Sequence, residues 1–246
     1  MKLETNTHHY TELARWYRKT KILPIRKAIT SKVIEFKQYL DGNNALYLGL
    51  PEFRKKFEST KYVSFFSVDG KDIIKYQNIE KKLPFEDKSH DIIILMHALD
   101  LLDKPYNFIR EIDRIATDDA KIFIAGFNKF SLWGLTQQFS NKKYSPWSAN
   151  FHPVSNIREW FKILSYDVKL NATSCLFPFP SKSLSKYTDK LSFIQKWLLP
   201  GYGGIYFCLL NKKIIPLTPQ KLKFKDKYVK LENSALPGKL ADCQEK

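Results

Sequence analysis

The sequence predicts an α/β protein built on a parallel β-sheet, and three consecutive segments carry this prediction. Residues 91–96 (DIIILM) are a short apolar run rich in β-branched side chains, which is typical of a strand buried on both faces. Apolar side chains then recur at the spacing of one helical face, at Phe108, Ile109, Ile112 and Ile115. A turn at Asp118-Asp119 leads into residues 121–127 (KIFIAGF), the next buried strand. A strand, a crossover helix and a second strand of these lengths form a parallel βαβ unit.

Two helices and two strands are predicted before this unit. The helices cover residues 11–22 and 24–40, and the second carries an apolar seam that can lie on a sheet. The strands are residues 45–50 (ALYLGL) and 62–68 (YVSFFSV), and a weaker strand candidate follows at 72–76.

After the central unit, Ser131 and Ser155 are predicted to be the N-caps of two further helices, the first covering residues 132–139. Strand patterns at residues 166–177 and 203–215 flank a helical pattern at 184–199. We therefore expect three parts in the chain: N-terminal helices that cover the sheet (1–44), an α/β domain (45–215), and a lysine-rich, flexible C-terminal tail without apolar periodicity (216–246).

The central segment resembles the type-11 family of class I S-adenosylmethionine-dependent methyltransferases. The resemblance lies in residues 83–85 (LPF), then Asp87, Ser89 and Asp91, a strand ending in His97-Ala98-Leu99, Pro105, and residues 110–114 (REIDR). Residues 126–128 (GFN), Ser131, Gly134-Leu135, Ser145-Pro146 and residues 215–218 (IPLT) are similar to one bacterial branch of that family, the YafS-like proteins. The resemblance implies a seven-stranded, mostly parallel, Rossmann-like sheet with helices on both faces and an antiparallel edge strand. It also implies S-adenosylmethionine as the methyl donor.

The donor of such a fold binds outside the carboxyl ends of the strands, beside the first strand. Gly49 follows that strand and lets the backbone approach a ligand, while Leu50 and Leu83 are candidates for apolar walls around the adenine. Asp69 stands about 20 residues after Gly49, the spacing of a ribose-binding acid. The alternative is an Asp-Gly turn that ends a strand. Asn78 is the candidate for the adenine edge, or else a surface loop residue.

Candidates for the acceptor side follow the next two strands. His97 ends the strand at 91–96 and can act as a base on the acceptor, or else as a hydrogen-bonded cap that contacts the cofactor passively, which we favour. Asn128 and Trp133 follow the strand at 121–127 and can line a substrate pocket, or else turn the chain and cover the sheet edge. Tyr144 and Trp147 belong to an aromatic loop that can close over the same opening.

Composition narrows the function classes. The formal charge of +16 permits a nucleic-acid partner, but arginine occurs at only seven positions, and scattered lysine is more typical of a solvated surface. Three widely spaced cysteines fit neither a disulfide framework nor a zinc site, which favours a cytoplasmic protein with reduced thiols. No apolar run reaches the length of a membrane span, and residues 1–16 show no signal-peptide pattern. No metal-ligand spacing, catalytic serine triad or G-x-G-x-x-G turn is present.

Two functions remain open on these grounds. The first is a methyltransferase that orients the donor methyl group against an acceptor, for which a small molecule is favoured. The second is a catalytically degenerate scaffold of the same fold that binds RNA or protein through a basic surface.

Overall fold

A six-stranded mixed sheet forms the centre of the structure, a computed structural model that describes residues 2–57, 63–66, 83–102, 105–140, 144–175 and 201–213. The strands are β1 (Ala45–Gly49), β2 (Val63–Phe66), β3 (His90–Met96), β4 (Ala116–Phe127), β5 (Tyr166–Ser174) and β6 (Ile205–Lys212). Their order is β2-β1-β3-β4-β6-β5. The first four strands are parallel, and β6 runs antiparallel to both β4 and β5. This confirms the predicted parallel βαβ unit and the predicted antiparallel strand near residues 205–212.

The last two strand patterns, at 166–177 and 203–215, form the antiparallel edge of the sheet, as predicted. β6 is the antiparallel strand and lies one strand in, and β5 forms the edge itself. The residues of β6 explain this position, because the first six are all buried and such a strand needs neighbours on both sides. The described residues contain six strands rather than the seven expected, and the weak candidate at residues 72–76 lies outside them.

β4 begins earlier than predicted, and the predicted turn at Asp118-Asp119 lies inside it. Ala116 is opposite His90, yet Lys121 is opposite Ile92, so β4 has several extra residues at this point. The two aspartates lie in this irregular stretch and are exposed. A bulge therefore takes the place of the turn.

Helices cover both faces of the sheet, as predicted. They are α1 (Lys2–Arg18), α2 (Leu23–Lys37), α3 (Pro105–Ile115), α4 (Leu132–Phe139) and α5 (Val154–Ile163). α1 and α2 pack on the face lined by Ile92 and Ile94, and α3 and α5 pack on the face lined by Ile93 and Leu95. Because all four side chains are fully buried, each contributes about 1.5–3 kcal/mol of hydrophobic stabilisation. None of the helices in the described residues is long and apolar enough to cross a membrane.

Two charged residues of the central segment hold loops in place at the amino edge of the sheet. The Arg114 guanidinium donates hydrogen bonds to the carbonyl oxygens of Leu83 (3.0 Å) and Phe85 (2.9 Å) and also pairs with Glu111. The Asp91 carboxylate accepts the backbone N–H groups of residues 43 and 44 at 2.7 and 2.8 Å. Arg114 and Asp91 therefore stabilise the sheet and lie away from its carboxyl edge.

The two predicted N-caps have different outcomes. Ser131 caps α4, since its Oγ accepts the backbone N–H of Gly134 at 3.2 Å. The prediction for Ser155 was wrong, because α5 begins two residues earlier, with Pro153 in the N-cap position and no side-chain cap. The fixed φ of proline already suits a helix start, so the serine is not needed there.

Replacing Ser131 by alanine is expected to lower the free energy of unfolding by about 1 kcal/mol, the usual cost of losing an N-cap. Ser155→Ala is the matched control and is expected to change it by less than about 0.5 kcal/mol, as at other exposed positions. Urea unfolding of the two variants measures both values, and equal losses would contradict the cap assignment.

Candidate active site

His97 ends β3 at the carboxyl edge of the sheet and is fully buried. Its φ of 57° lies in the left-handed region, which is uncommon for a residue with a side chain and costs about 1–3 kcal/mol. The surrounding bonds hold this conformation. The backbone N–H of His97 donates to the carbonyl oxygen of Ala125 at 2.8 Å, and both ring nitrogens have a partner.

Asp100 is the first of these partners. Its Oδ2 lies 2.8 Å from His97 Nδ1 and also accepts the backbone N–H of Phe127 at 2.9 Å. The carboxylate is fully buried and therefore joins the end of β3 to the end of β4. Asp100 therefore also fixes the orientation of the histidine ring.

Tyr17 is the second partner, and it comes from the opposite end of the chain. Its hydroxyl lies 2.8 Å from His97 Nε2, and its ring packs edge-on against Phe53. Burial, followed by the nearby Cys175, Asp100 and Glu52, raises the pKa of Tyr17 well above the ordinary value. Tyr17 therefore keeps its proton at neutral pH, so its hydroxyl is available as a hydrogen-bond donor to Nε2.

Gly49 and Leu50 form the loop after β1 at the same edge. Gly49 has a φ of 129°, and a Cβ added there would collide with the carbonyl oxygen of Met96. The Gly49 carbonyl oxygen accepts the Tyr10 hydroxyl at 3.1 Å, and the Leu50 carbonyl oxygen accepts the Tyr47 hydroxyl. The close approach of β3 therefore already requires a glycine at this position, whether or not a ligand binds.

The other predicted donor residues are placed apart from this loop or are not described. Leu83 is buried on the α3 side of the sheet, and its N–H donates to Glu111 at 3.0 Å, whereas the Leu50 side chain is buried on the α1 side. The structure does not bring these two side chains together. Asp69 and Asn78 lie outside the described residues, so their roles stay predictions.

Asn128 follows β4, and both polar atoms of its side chain form hydrogen bonds with the backbone. Its Nδ2 donates to the carbonyl oxygens of Gly201 (2.7 Å) and Gly203 (3.0 Å), and its Oδ1 accepts the Phe130 N–H at 3.1 Å. The side chain therefore ties the end of β4 to the chain that leads into β6. Its predicted contact with a substrate stays a prediction.

The three predicted aromatic residues on the acceptor side occupy different environments. Trp133 is buried, stacks on Phe127 with ring centroids 5.7 Å apart, and donates its indole N–H to the Cys175 carbonyl oxygen at 2.8 Å. Trp147 packs against Trp133, with a centroid distance of 6.1 Å. Tyr144 is 65% exposed. Phe127 also packs on His97, with ring centroids 4.4 Å apart, so it contacts both Trp133 and His97.

Gly126 makes room for a buried hydroxyl beside the His97–Asp100 pair. A Cβ at Gly126 would collide with the Tyr206 hydroxyl and would lie 2.9 Å from Asp100 Oδ1. Neither of these two oxygens has a hydrogen-bond partner among the described residues. Burial first, and then Asp100, raises the pKa of Tyr206 well above its ordinary value, so this hydroxyl also stays protonated.

Sequence reasoning missed Asp100, Tyr17 and Tyr206 as members of the site. Asp100 stands three residues after His97, and this short spacing after a strand end was the available signal. Tyr17 is 80 residues from its partner, and its position in the helical pattern gave no such signal. Within the described ranges, no group of three or more His, Cys, Asp or Glu side chains could hold a metal ion.

Gly126→Ala is expected to lower the free energy of unfolding by about 1–3 kcal/mol, because the new methyl group overpacks the Tyr206 hydroxyl. Tyr206→Phe alone is expected to raise it by about 1 kcal/mol, since it removes a buried hydroxyl without a partner. The double variant should recover part of the loss, which thermal or urea unfolding can measure. Strict additivity of the two changes would contradict the proposed collision.

Comparisons with known proteins agree with this geometry. The methyltransferase domain family matches residues 57–124. The uncharacterised protein YafS of Escherichia coli (strain K12) is 30% identical over 142 residues, which are 57% of this chain and 56% of YafS. The matched region therefore spans little more than half the length of that curated relative.

Two solved structures share the fold. A SAM-dependent methyltransferase from Thermotoga maritima has a TM-score of 0.55 and 14% identity, covering 84% of this chain and all of that chain. The chain solved in complex with the Haloferax volcanii Trm112 methyltransferase activator has a TM-score of 0.57 and 14% identity, covering 83% and 97%.

The matched family is a methyltransferase domain, and the Thermotoga maritima protein is S-adenosylmethionine-dependent. These matches relate the chain to the class I S-adenosylmethionine-dependent methyltransferases, and within them to the YafS-like type, as its central segment predicted.

Proposed function

We propose that the protein is an S-adenosylmethionine-dependent methyltransferase that positions donor and acceptor at the carboxyl edge of its sheet. One observation carries this proposal: a fully buried His97–Asp100 pair stands at the end of β3, directly beside the loop at Gly49. Met96 is opposite Gly49 in the sheet, and Ala125 is opposite Met96. The residues that follow these three positions therefore converge on one edge, where ligands of open α/β sheets bind.

The donor side of the proposal consists of the loop at Gly49 and Leu50, with Asp69 on the ribose and Asn78 toward the adenine. Leu83, a candidate from the sequence, is not part of it, because it is buried on the opposite face of the sheet and is held by Glu111 and Arg114. The fit of the loop rests on Gly49, which presents no side chain at the carboxyl edge and holds a φ of 129°. When bound, S-adenosylmethionine supplies a methyl group activated by its sulfonium. The contribution of the chain is to fix that group in line with an acceptor, and well-oriented approach alone can account for several kcal/mol of the barrier.

On the acceptor side, His97 is the proposed base. Asp100 orients the ring through Nδ1, and its negative charge favours the imidazolium that forms when Nε2 takes a proton. Asn128 and Trp133 support this edge, and Tyr144 and Trp147 lie in the loop beyond it. A small-molecule acceptor is the favoured substrate class, and a nucleic-acid acceptor remains the alternative that the charge of +16 permits.

The organisation of the chain follows from the same proposal. Residues 1–44 form the covering helices, 45–215 the methyltransferase body and 216–246 a basic tail; that tail lies outside the described residues. A cytoplasmic location accords with the reduced cysteines Cys175 and Cys208. Burial raises the pKa of each thiol to about 12, so both are protonated and unreactive at neutral pH.

Gly49→Val is an unsuitable test of donor binding, although glycine loops are usually probed in this way. The new side chain would collide with the backbone of Met96 whether or not a donor is present. A loss of binding in that variant would report misfolding.

Asp69→Ala is the better test, with Asp118→Ala as its matched control. Asp118 is an exposed acid that pairs with Lys88 at the opposite edge of the sheet, 2.8 Å away. The demethylated product, S-adenosylhomocysteine, is expected to bind wild type with a Kd of about 10–100 μM. Asp69→Ala should weaken this binding about tenfold to a hundredfold by removing an ionic hydrogen bond, and Asp118→Ala should leave it unchanged.

Isothermal titration calorimetry on the three folded proteins measures these affinities. No binding to wild type at millimolar ligand would overturn the methyltransferase proposal. Equal affinity of wild type and Asp69→Ala would overturn only the ribose assignment.

A further inference from the structure

His97 has no free nitrogen in this structure. Asp100 occupies Nδ1 at 2.8 Å and Tyr17 occupies Nε2 at 2.8 Å, and all three side chains are fully buried. A base must reach its substrate proton through one nitrogen, directly or through a single water. Whatever His97 does for an acceptor, one of its two partners has to be replaced first.

The hydrogen-bond partners indicate which nitrogen is basic. Asp100 Oδ2 accepts the Phe127 N–H at 2.9 Å, and an ionised carboxylate is an acceptor only, which assigns the ring proton to Nδ1. Nε2 then has no proton and accepts the hydroxyl of Tyr17, whose pKa burial raises. The ring is thus neutral, with its lone pair on Nε2 and directed at Tyr17.

The ring of Tyr17 lies in an aromatic cage beside His97. Its centroid is 4.8 Å from Trp16, 5.2 Å from Phe53 and 5.5 Å from His97. Phe127 also packs against the imidazole, with ring centroids 4.4 Å apart. These aromatic side chains can pack against a flat ring, and the His97–Asp100 pair beside them can accept a hydroxyl on that ring.

Helix α1 delivers Tyr17 to this position and spans the donor loop as well. Tyr10 lies two helical turns before Tyr17 on the same side of α1, and its hydroxyl donates to the Gly49 carbonyl oxygen. Arg18 pairs with Glu52 at 2.7 Å. α1 therefore contacts the ends of both β1 and β3. Movement of α1 would free Nε2 and open the donor loop together.

We propose that Tyr17 is a positioning residue that holds His97 as one neutral tautomer and fills the acceptor position above Nε2. The acceptor is then a ring-bearing molecule of the phenol class, whose own O–H takes the place of the Tyr17 hydroxyl when α1 moves. This assignment of a substrate class rests on the proposed function.

The reaction balances with these groups. His97 Nε2 takes the proton of the acceptor hydroxyl, and the oxygen forms its new bond to the methyl carbon. The bond between that carbon and the donor sulfur breaks, and the sulfur keeps the electron pair and becomes a neutral thioether. The imidazolium that results is paired with the Asp100 carboxylate until the proton leaves to water.

The first test is the ¹⁵N NMR spectrum of the histidine side chains, recorded without donor for wild type, Tyr17→Phe and the matched control Tyr10→Phe. Wild type should show His97 protonated on Nδ1 with a hydrogen-bonded lone pair on Nε2. Tyr17→Phe should shift the Nε2 resonance and leave Nδ1 in place, and Tyr10→Phe should shift neither. A proton on Nε2 in wild type, or an unchanged Nε2 in Tyr17→Phe, would overturn the proposal.

The second test restores the missing ring from solution. Tyr17→Ala is titrated with p-cresol, which reproduces the tyrosine side chain, and with toluene, which lacks only the hydroxyl. p-Cresol should bind roughly threefold to tenfold more tightly, the value of one hydrogen bond, and should return the Nε2 resonance toward its wild-type position. Equal affinities with an unmoved Nε2 resonance would refute the phenol class.

If Tyr17→Ala does not fold, Tyr17→Leu serves for the same pair of ligands, and the Tyr17→Phe spectrum decides the positioning role by itself. Neither test contains a methyl donor. Absence of S-adenosylhomocysteine binding would therefore count against the proposed function and not against the role of Tyr17.

Discussion

The buried carboxylate of Asp100 is the constraint on which the carboxyl edge depends. Its Oδ2 contacts the His97 imidazole after β3 and accepts the backbone N–H of Phe127 at the end of β4. The imidazole in turn contacts the hydroxyl of Tyr17 on α1. A buried charge without such partners costs several kcal/mol, so the three elements must arrive together for any of them to be stable there. The left-handed backbone of His97 persists because these bonds over-determine it.

The body of the sheet was predictable because burial alone decides it. In β3, Ile92 and Ile93 face opposite helical layers, and both layers are apolar, so a continuous apolar run identifies the strand and its place between helices. The bulge in β4 was not predictable, since Asp118-Asp119 is the usual sequence of a turn and only the register with β3 shows that the strand continues. The cap at Ser131 and the missing cap at Ser155 differ because a proline precedes only the second helix.

The site was predictable as a location and less so as a set of contacts. Parallel topology brings the ends of β1, β3 and β4 to one edge, so Gly49, His97 and Asn128 could be placed there from the strand pattern. The partners of each could not. The Asn128 amide binds carbonyl oxygens more than 70 residues away, and Tyr17 reaches His97 from the first helix. Such pairings depend on tertiary packing, which local periodicity does not encode.

Three glycines of the described residues, two of them in the branch resemblance, have a consequence for how relatives of this chain can be interpreted. Gly126 leaves room for a tyrosine hydroxyl, Gly134 for the Lys129 carbonyl oxygen, and Gly204 for the indole of Trp133. None of these spaces belongs to a reacting group. A relative without this chemistry would need the same three spaces, because its core would not close otherwise. Glycine at these positions is therefore a mark of the architecture, and only the proposed site residues Tyr17, His97 and Asp100 bear on the proposed activity.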